Sequence, residues 1–298
     1  MKPFASDRMR GTIFSLVGVS VLSLDALALR LSSSSPWTMC FWRGLFMALA
    51  MFSGLWIYYG KSCIQHFREI GRFGILIALL LGGRHIFFVI AVSYTAVADV
   101  VVIINTTPLF AALLSAIFLK ERTSLRTWIA ILVAFGGIAV IFAGSLGGGT
   151  MPGNIMALGG ALFGAGGFVV IRRKKEVNMI PALVFSGLIA FLVSVPFARP
   201  FLITSLDLTV FAFAGLIILP VSFTLVTMAP RYITAPEVGL MMLLNTVEAP
   251  MLVWLFIGEA PRSMTFLGGA IIVGALVVHF VWGERQSGEG KLTVSSNR

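Results

Sequence analysis

Long apolar runs make up most of the chain, and short polar or turn-rich segments separate them. Each run has about 19–24 residues, the length that an α-helix needs to cross the hydrocarbon core of a bilayer. The runs are continuously apolar rather than alternating, and a backbone in lipid must satisfy its own hydrogen bonds, so we expect helices. The pattern predicts ten transmembrane helices at 11–31, 36–59, 72–93, 97–119, 125–144, 153–171, 180–198, 207–229, 234–257 and 263–283.

The composition agrees with an integral membrane protein. Of the 298 residues, 58% are hydrophobic and 11% are charged, whereas a soluble domain has about 25% charged residues. The net charge of +10 is compatible with a nucleic-acid partner, but the basic residues lie in short loops between apolar runs, so none is expected. The chain contains no H-E-x-x-H, G-x-S-x-G or G-x-x-x-x-G-K motif, and we expect no enzyme activity, cofactor or metal site.

Lysine and arginine are unequally divided between the two sets of loops. Seventeen of them fall on the side of the termini, whereas Arg30, Arg199 and Arg262 are the only ones predicted on the other side. By the positive-inside rule, both termini and the tail at 284–298 are expected in the cytoplasm. The predicted location is therefore the cytoplasmic (inner) membrane, with the lipid bilayer as a partner.

The two halves of the chain carry an internal repeat. We assign 1–144 to a first repeat of five helices and 145–283 to a second. Since five is an odd number, the second repeat inserts upside down, which is typical of secondary transporters with a substrate site near the midplane. A single shift aligns 94–140 with 232–278 and pairs Tyr94 with Tyr232, Asp99 with Glu237, Glu121 with Glu259, and Gly136 with Gly274.

Two long segments carry a family resemblance. The stretch "ADVVVIINTTPLFAALLSAIFLKERTSLRTWIAILVAFGGIAVI" resembles the signature of the drug/metabolite transporter superfamily, EamA-type branch. A small–acidic pair opens the helix, "TP" lies in its middle, "KE" closes it and a glycine-rich helix follows. The second copy has Asn245 and Thr246 where the family often has "EP". The resemblance implies an exporter of small metabolites with two inverted five-helix repeats around a central cavity. Among such exporters the YddG-like amino-acid exporter group is the best guess.

Several polar residues lie inside the predicted spans. Arg84 and His85 are mid-span, where an arginine costs at least about 2.5–3.5 kcal/mol, so they are expected to face a cavity. On the ninth predicted helix, polar positions fall within about 80° of one another and form one stripe. The candidate substrate-binding residues are Arg84, His85, Asn105, Asn245, Glu248 and Arg43, and the candidates for ion pairing or gating are Asp25, Asp99 and Glu237.

A cavity that offers both a cation and an anion suits a zwitterionic amino acid. Nearby aromatic residues such as Phe87 and Phe88 are suited to a hydrophobic or aromatic substrate side chain. Protons are a candidate coupling ion, because an imidazole such as that of His85 ordinarily titrates near neutral pH. The sequence therefore favours an alternating-access exporter of amino acids or related metabolites.

Other interpretations of the same residues stay open. Asp25 or Glu248 could neutralise Arg84 or Arg43 in a purely structural salt bridge. The repeat could be a duplicated scaffold without transport, or the protein could be a passive channel. An exporter of another metabolite or drug class fits the pattern as well.

Overall fold

The computed structural model describes residues 5–120, 125–145, 149–174, 177–229, 232–233, 238 and 241–278. Every regular element in these ranges is helical. The α-helices are α1 (Ala5–Leu31), α2 (Pro36–Tyr59), α3 (Cys63–Glu69), α4 (Gly71–Tyr94), α5 (Val97–Ile104), α6 (Thr107–Phe118), α7 (Leu125–Gly144), α8 (Met151–Arg173), α9 (Pro181–Ser194), α10 (Ser205–Phe213), α11 (Leu219–Met228), α12 (Leu244–Ile257) and α13 (Ser263–Val278). A 3₁₀ turn at Gly60–Ser62 precedes α3, and a π-helical segment at Ala214–Ile218 joins α10 to α11.

The predicted all-helical membrane fold is confirmed. Seven helical segments in the described ranges are long and apolar enough to cross a membrane, and α9, α12 and α13 are shorter apolar helices. Together these ten units correspond one to one with the ten predicted spans. The bounds differ at α1, which begins at Ala5, six residues before the predicted start at 11, and at α9, which ends at Ser194, four residues before the predicted end at 198.

Helix contacts follow the order expected for two five-helix units. In the first unit the helices are α1, α2, α4, α5–α6 and α7; in the second they are α8, α9, α10–α11, α12 and α13. The contact of α4 with α8 corresponds to that of α11 with α1, and the contact of α5–α6 with α8 corresponds to that of α12 with α1. Exchange of the two units thus reproduces the contacts, as a pseudo-two-fold axis requires.

Glycines allow the two units to approach at backbone distance. A Cβ at Gly44 on α2 would lie 2.7 Å from the carbonyl oxygen of Gly187 on α9, and a Cβ at Gly187 would lie 2.8 Å from that of Gly44. Gly137 on α7 and Gly268 on α13 meet in the same reciprocal way. Small residues are the usual means of close helix packing in membranes, where lipid tails are as apolar as the side chains.

The fourth transmembrane segment is broken between α5 and α6. Pro108 has no N–H to donate to the carbonyl of Ile104, and the Oγ1 of Thr107 donates to that carbonyl instead, at 2.5 Å. All eight residues of α5 are buried, and all but Ala98 and Asp99 belong to the largest apolar core of the described residues. Leu109 and Phe110 of α6 belong to the same core, so the break interrupts a buried segment, and Asn105 lies in the break.

Candidate functional site

A cavity of about 860 Å³ lies between the two units and extends to the segment that joins α8 to α9. It is of the size that accommodates a small organic ligand. Three aromatic side chains, Phe88, Phe168 and Phe223, line it together with aliphatic residues. The polar residues on its wall are Asp25, Arg84, His85, Asn105, Arg172, Asn178, Ser222 and Asn245.

Arg84 is a cation on the cavity wall without a carboxylate partner among the described residues. Its guanidinium carbon lies 6.0 Å from the ring centre of Phe168. Gly164 on α8 makes room for the side chain, because a Cβ there would lie 2.9 Å from Cδ of Arg84. Five N–H donors are thus available on a guanidinium that a ligand can reach.

His85 lies next to Arg84 on α4 and meets the ring of Phe223 edge-on, with 6.0 Å between ring centres. It lines the large cavity and also a small pocket that it shares with Arg43. His85 thus follows one arginine in the chain and shares a pocket with another.

Asp25 on α1 and Arg43 on α2 form a buried ion pair. Nη2 of Arg43 lies 2.5 and 2.7 Å from the two carboxylate oxygens of Asp25, and both residues are 3% exposed. Asp25 reaches the wall of the large cavity, whereas Arg43 reaches only the small pocket. The structural salt bridge considered from the sequence thus exists for Arg43, and Asp25 does not neutralise Arg84.

Asn105 and Asn245 both line the cavity, one from the α5–α6 break and the other from α12. Nδ2 of Asn105 donates to Oγ1 of Thr246 at 2.6 Å, which connects the two units. Oδ1 of Asn105 accepts no hydrogen bond from a described residue. These amides place neutral acceptors and donors across the cavity from Arg84.

Glu248 lies on α12 beside α1 and is not on the wall of the large cavity. Its carboxylate accepts hydrogen bonds from Ser20 at 3.0 Å and from Ser23 at 3.1 Å. The other acidic candidate on the same predicted stripe, Glu237, falls outside the described residues.

The large cavity opens beside the segment that joins α8 to α9 and includes no residue of the other end of the bundle, which we call the closed end and where a polar network joins the helices. Nε of Arg30 on α1 lies 2.6 Å from Oε2 of Glu259, and its Nη1 donates to the carbonyl of Val92 at 2.9 Å. The other oxygen of Glu259 accepts the N–H of Val97, the first residue of α5, at 2.9 Å. Asp99 belongs to this end rather than to the cavity.

Asp99 is 1% exposed and accepts hydrogen bonds from Thr95, at 3.3 Å, and from Thr265 on α13. Sequence reasoning did not select Arg30 or Glu259 as functional residues. A signal was available, because Glu259 is the repeat counterpart of Glu121 and Arg30 is one of the few basic residues on its predicted side.

Comparison with known proteins agrees with this architecture. A family model described as the EamA-like transporter family matches residues 9–143 and again 151–281. A transporter of Bacillus subtilis, YdfC, described as uncharacterized, is 25% identical over 181 residues, which cover 58% of this chain and 59% of that protein. The pseudopaline exporter CntI of Pseudomonas aeruginosa is 26% identical over 198 residues, which cover 63% of this chain and 67% of that protein.

The chain therefore spans less than two thirds of the Bacillus transporter's length. A protein of known crystal structure is similar in fold, with a TM-score of 0.65 and 18% identity. That similarity covers 91% of this chain and 97% of the other.

Proposed function

The chain belongs to the EamA-like transporter family, and we propose that it is an alternating-access secondary transporter that exports amino acids or related small metabolites across the cytoplasmic membrane. The observation that carries the proposal is the position of Arg84 on the wall of a cavity of about 860 Å³ without a carboxylate partner among the described residues. An intramembrane cation is costly, so a substrate carboxylate is the natural partner for it. A guanidinium binds a carboxylate through two parallel hydrogen bonds.

The remaining groups of an amino acid have counterparts in the cavity. The free Oδ1 of Asn105 and the amide of Asn245 are acceptors for an ammonium group. The rings of Phe88, Phe168 and Phe223 suit a hydrophobic or aromatic side chain. In this proposal, His85 contributes a hydrogen bond rather than a charge.

Alternating access rests on the difference between the two ends of the bundle. The cavity reaches the loop after α8, which the positive-inside rule assigns to the cytoplasm, and the opposite end is closed around Arg30 and Glu259. This conformation is then the cytoplasm-facing one, and exchange of the roles of the two repeats gives the outward-facing one. The two separate family matches support the division into repeats at 1–144 and 145–283.

A second candidate substrate class is a carboxylate metabolite that lacks an ammonium group. Its support is electrostatic: Arg43 neutralises Asp25, and Glu248 lies outside the cavity wall. The described cavity therefore offers an unpaired cation without an unpaired anion. Similarity to a pseudopaline exporter is compatible with substrates beyond the common amino acids.

Counterflow in proteoliposomes tests both candidates. Labelled phenylalanine, its deaminated acid and its amide are compared as substrates of the wild type and of Arg84→Ala, Arg84→Lys and the control Arg68→Ala, whose side chain is exposed on α3. A charge-assisted hydrogen bond is worth about 1.5–3 kcal/mol, so Arg84→Ala should weaken binding of either acid about tenfold to a hundredfold. Arg84→Lys should retain part of the affinity and Arg68→Ala all of it.

The pattern of substrates separates the candidates. Preference for phenylalanine over the deaminated acid supports the amino-acid exporter, and the reverse preference supports the second class. Equal transport of the amide and the acids would exclude carboxylate recognition by Arg84. Flux that does not saturate and shows no counterflow would exclude a carrier and favour a channel.

A further inference from the structure

The serine–carboxylate cluster between α1 and α12 contains more hydrogen-bond acceptors than donors. Oγ of Ser23 lies 3.1 Å from Oε2 of Glu248, 2.9 Å from Oδ1 of Asn245 and 3.1 Å from the carbonyl oxygen of Val19. A hydroxyl has one proton to donate, so it can serve only one of these three acceptors at a time. Ser20 donates to the other carboxylate oxygen of Glu248 at 3.0 Å.

One additional proton supplies the hydrogen-bond donor that the cluster lacks. With a proton on Oε2, Glu248 donates to Oγ of Ser23, and the hydroxyl proton of Ser23 is then free to bond Oδ1 of Asn245. A continuous hydrogen-bonded chain runs from Glu248 through Ser23 to Asn245, whose side chain lines the cavity. Arrival or departure of that proton thus changes which hydrogen bonds Asn245 can offer to a substrate.

The charged groups on the neighbouring helices are engaged elsewhere. On α1, Asp25 is paired with Arg43, Arg30 is paired with Glu259, and Arg10 lies near the first turns of the helix. On α5, the one charged residue is Asp99, which is bonded to Thr95 and Thr265. The described part of α13 contains no charged residue. Glu248 therefore has no cationic partner among the described residues.

From this geometry we infer that Glu248, Ser20 and Ser23 form a proton-binding site that is separate from the substrate cavity and communicates with it through Asn245. The inference rests on the proposed export function and supplies its driving ion. The proposed transport cycle is a proton antiport. The Glu248 carboxylate takes up a proton on the outer side and releases the same proton on the cytoplasmic side. This site differs from the candidate proton site that the sequence suggested, His85, which lines the substrate cavity beside Arg84.

Packing supplies the mechanical link. The cluster bridges α1, from the first repeat, and α12, from the second, which are in extensive contact. Protonation converts a carboxylate that accepts two hydroxyls into an acid that donates to one of them. The α1–α12 contact is thereby sensitive to the proton, and α1 also carries Arg30 of the closed end.

Infrared titration tests the site without any substrate. In purified full-length protein we expect a carboxylic-acid C=O band that is lost when the proposed site releases its proton, because a carboxylate has no such band. The band should be absent from Glu248→Gln, be shifted in Glu248→Asp and remain in His85→Gln. A titrating band that persists unchanged in Glu248→Gln would overturn the inference.

Proton movement in proteoliposomes tests the coupling. A pH-sensitive dye inside the vesicles reports protons that move when labelled phenylalanine and its deaminated acid are added. Glu248→Gln should abolish this signal, and Ser23→Ala should reduce it at least several-fold and flatten the pH profile of flux. Ser15→Ala is the matched control, because Ser15 is buried on the same helix and its hydroxyl has no hydrogen-bond partner among the described residues.

The outcomes separate this inference from the proposed function. If neither acid is transported but the Glu248 band titrates as expected, the substrate proposal fails and the proton site stands. If substrate moves without protons, or a sodium gradient alone drives it, the proton site is excluded and the exporter stands. Loss of proton coupling in His85→Gln with retention in Glu248→Gln would assign the role to His85.

Discussion

The two mid-membrane arginines differ in what lies opposite their charge. Arg43 is held by both oxygens of Asp25 and is 3% exposed, whereas Arg84 faces a cavity with the ring of Phe168 beside it. The charge of Arg43 is thus compensated within the protein, whereas no described carboxylate compensates that of Arg84. In the proposed function, Arg43 therefore has a structural role and Arg84 is the residue that binds the substrate.

Removal of one partner of the buried pair is expected to destabilise the protein. Arg43→Ala leaves the Asp25 carboxylate buried and uncompensated, which costs about 3–5 kcal/mol. Thermal unfolding in detergent should show a clear loss, and Arg43→Met combined with Asp25→Asn should recover most of it. A double variant no more stable than Arg43→Ala would show that the pair is not the source of the effect.

The sequence could predict which polar residues lie in the spans but not how they pair. Periodicity places Arg84, His85, Asn105 and Asn245 on inward faces, and all four line the cavity. The partner of Arg43 belongs to another helix, and the direction in which Glu248 points depends on how α12 packs against α1. Helical periodicity shows which side chains share one face of a helix. Tertiary packing decides which other helix lies against that face.

At the level of helices, two transmembrane segments depart from regular α-helix near a proline. Pro108 follows the break between α5 and α6, and Pro220 follows the π-helical segment Ala214–Ile218. Broken helices beside a substrate site are common in secondary transporters. The length of the apolar runs correctly predicted both segments as transmembrane spans. It does not locate a break within a span, because backbone carbonyl groups that lose their helical partner can be hydrogen-bonded in several ways.

Loss of the Thr107 hydroxyl is expected to lower the stability of the protein. Thr107→Val removes the hydroxyl that satisfies the carbonyl of Ile104 and should cost about 1–3 kcal/mol, since that buried carbonyl is left unpaired. Thr209→Val is the control, because Thr209 bonds the carbonyl of Ser205 in the same way on an exposed helix. Equal melting temperatures for the two variants would argue against a special role for the break.

At the scale of the whole molecule, the predicted topology is testable through the loops. Asn178→Cys, near the cavity mouth, should be labelled from the cytoplasm, and Phe201→Cys, at a side chain that is 92% exposed, should be labelled from outside. Both changes are made after replacement of Cys40 and Cys63, which are free and buried. Labelling of Asn178→Cys from outside intact cells would contradict the ten-span orientation.

The repeat in the sequence predicted the two-unit architecture, because aligned helices in the two halves make corresponding contacts. It could not predict which end of the bundle is closed. Two related halves provide two related conformations, and the difference between them lies in contacts such as Arg30 with Glu259 rather than in the hydrophobic pattern. In the proposed alternating-access cycle, a few polar contacts would therefore set the facing state.

The contacts between Arg30 and Glu259 are weak enough for the closed end of the bundle to open. The side chains of Arg30 and Glu259 are 27% and 23% exposed, against 4% for each partner of the Asp25–Arg43 pair. A partly exposed ion pair is worth about 0–1 kcal/mol, so breaking it costs far less than breaking the buried pair. We therefore expect this end to open during transport, whereas the Asp25–Arg43 pair stays closed.

Cross-linking decides whether the closed end must open. Arg30→Cys and Glu259→Cys, joined by a short bifunctional thiol reagent, should block counterflow, and release of a reducible linker should restore it. Each single cysteine variant treated with the same reagent is the control and should shift flux by no more than about fivefold, since the pair is worth about 1 kcal/mol at most. Unchanged counterflow in the cross-linked protein would mean that substrate leaves by another route, and the Arg30–Glu259 contact would then be structural.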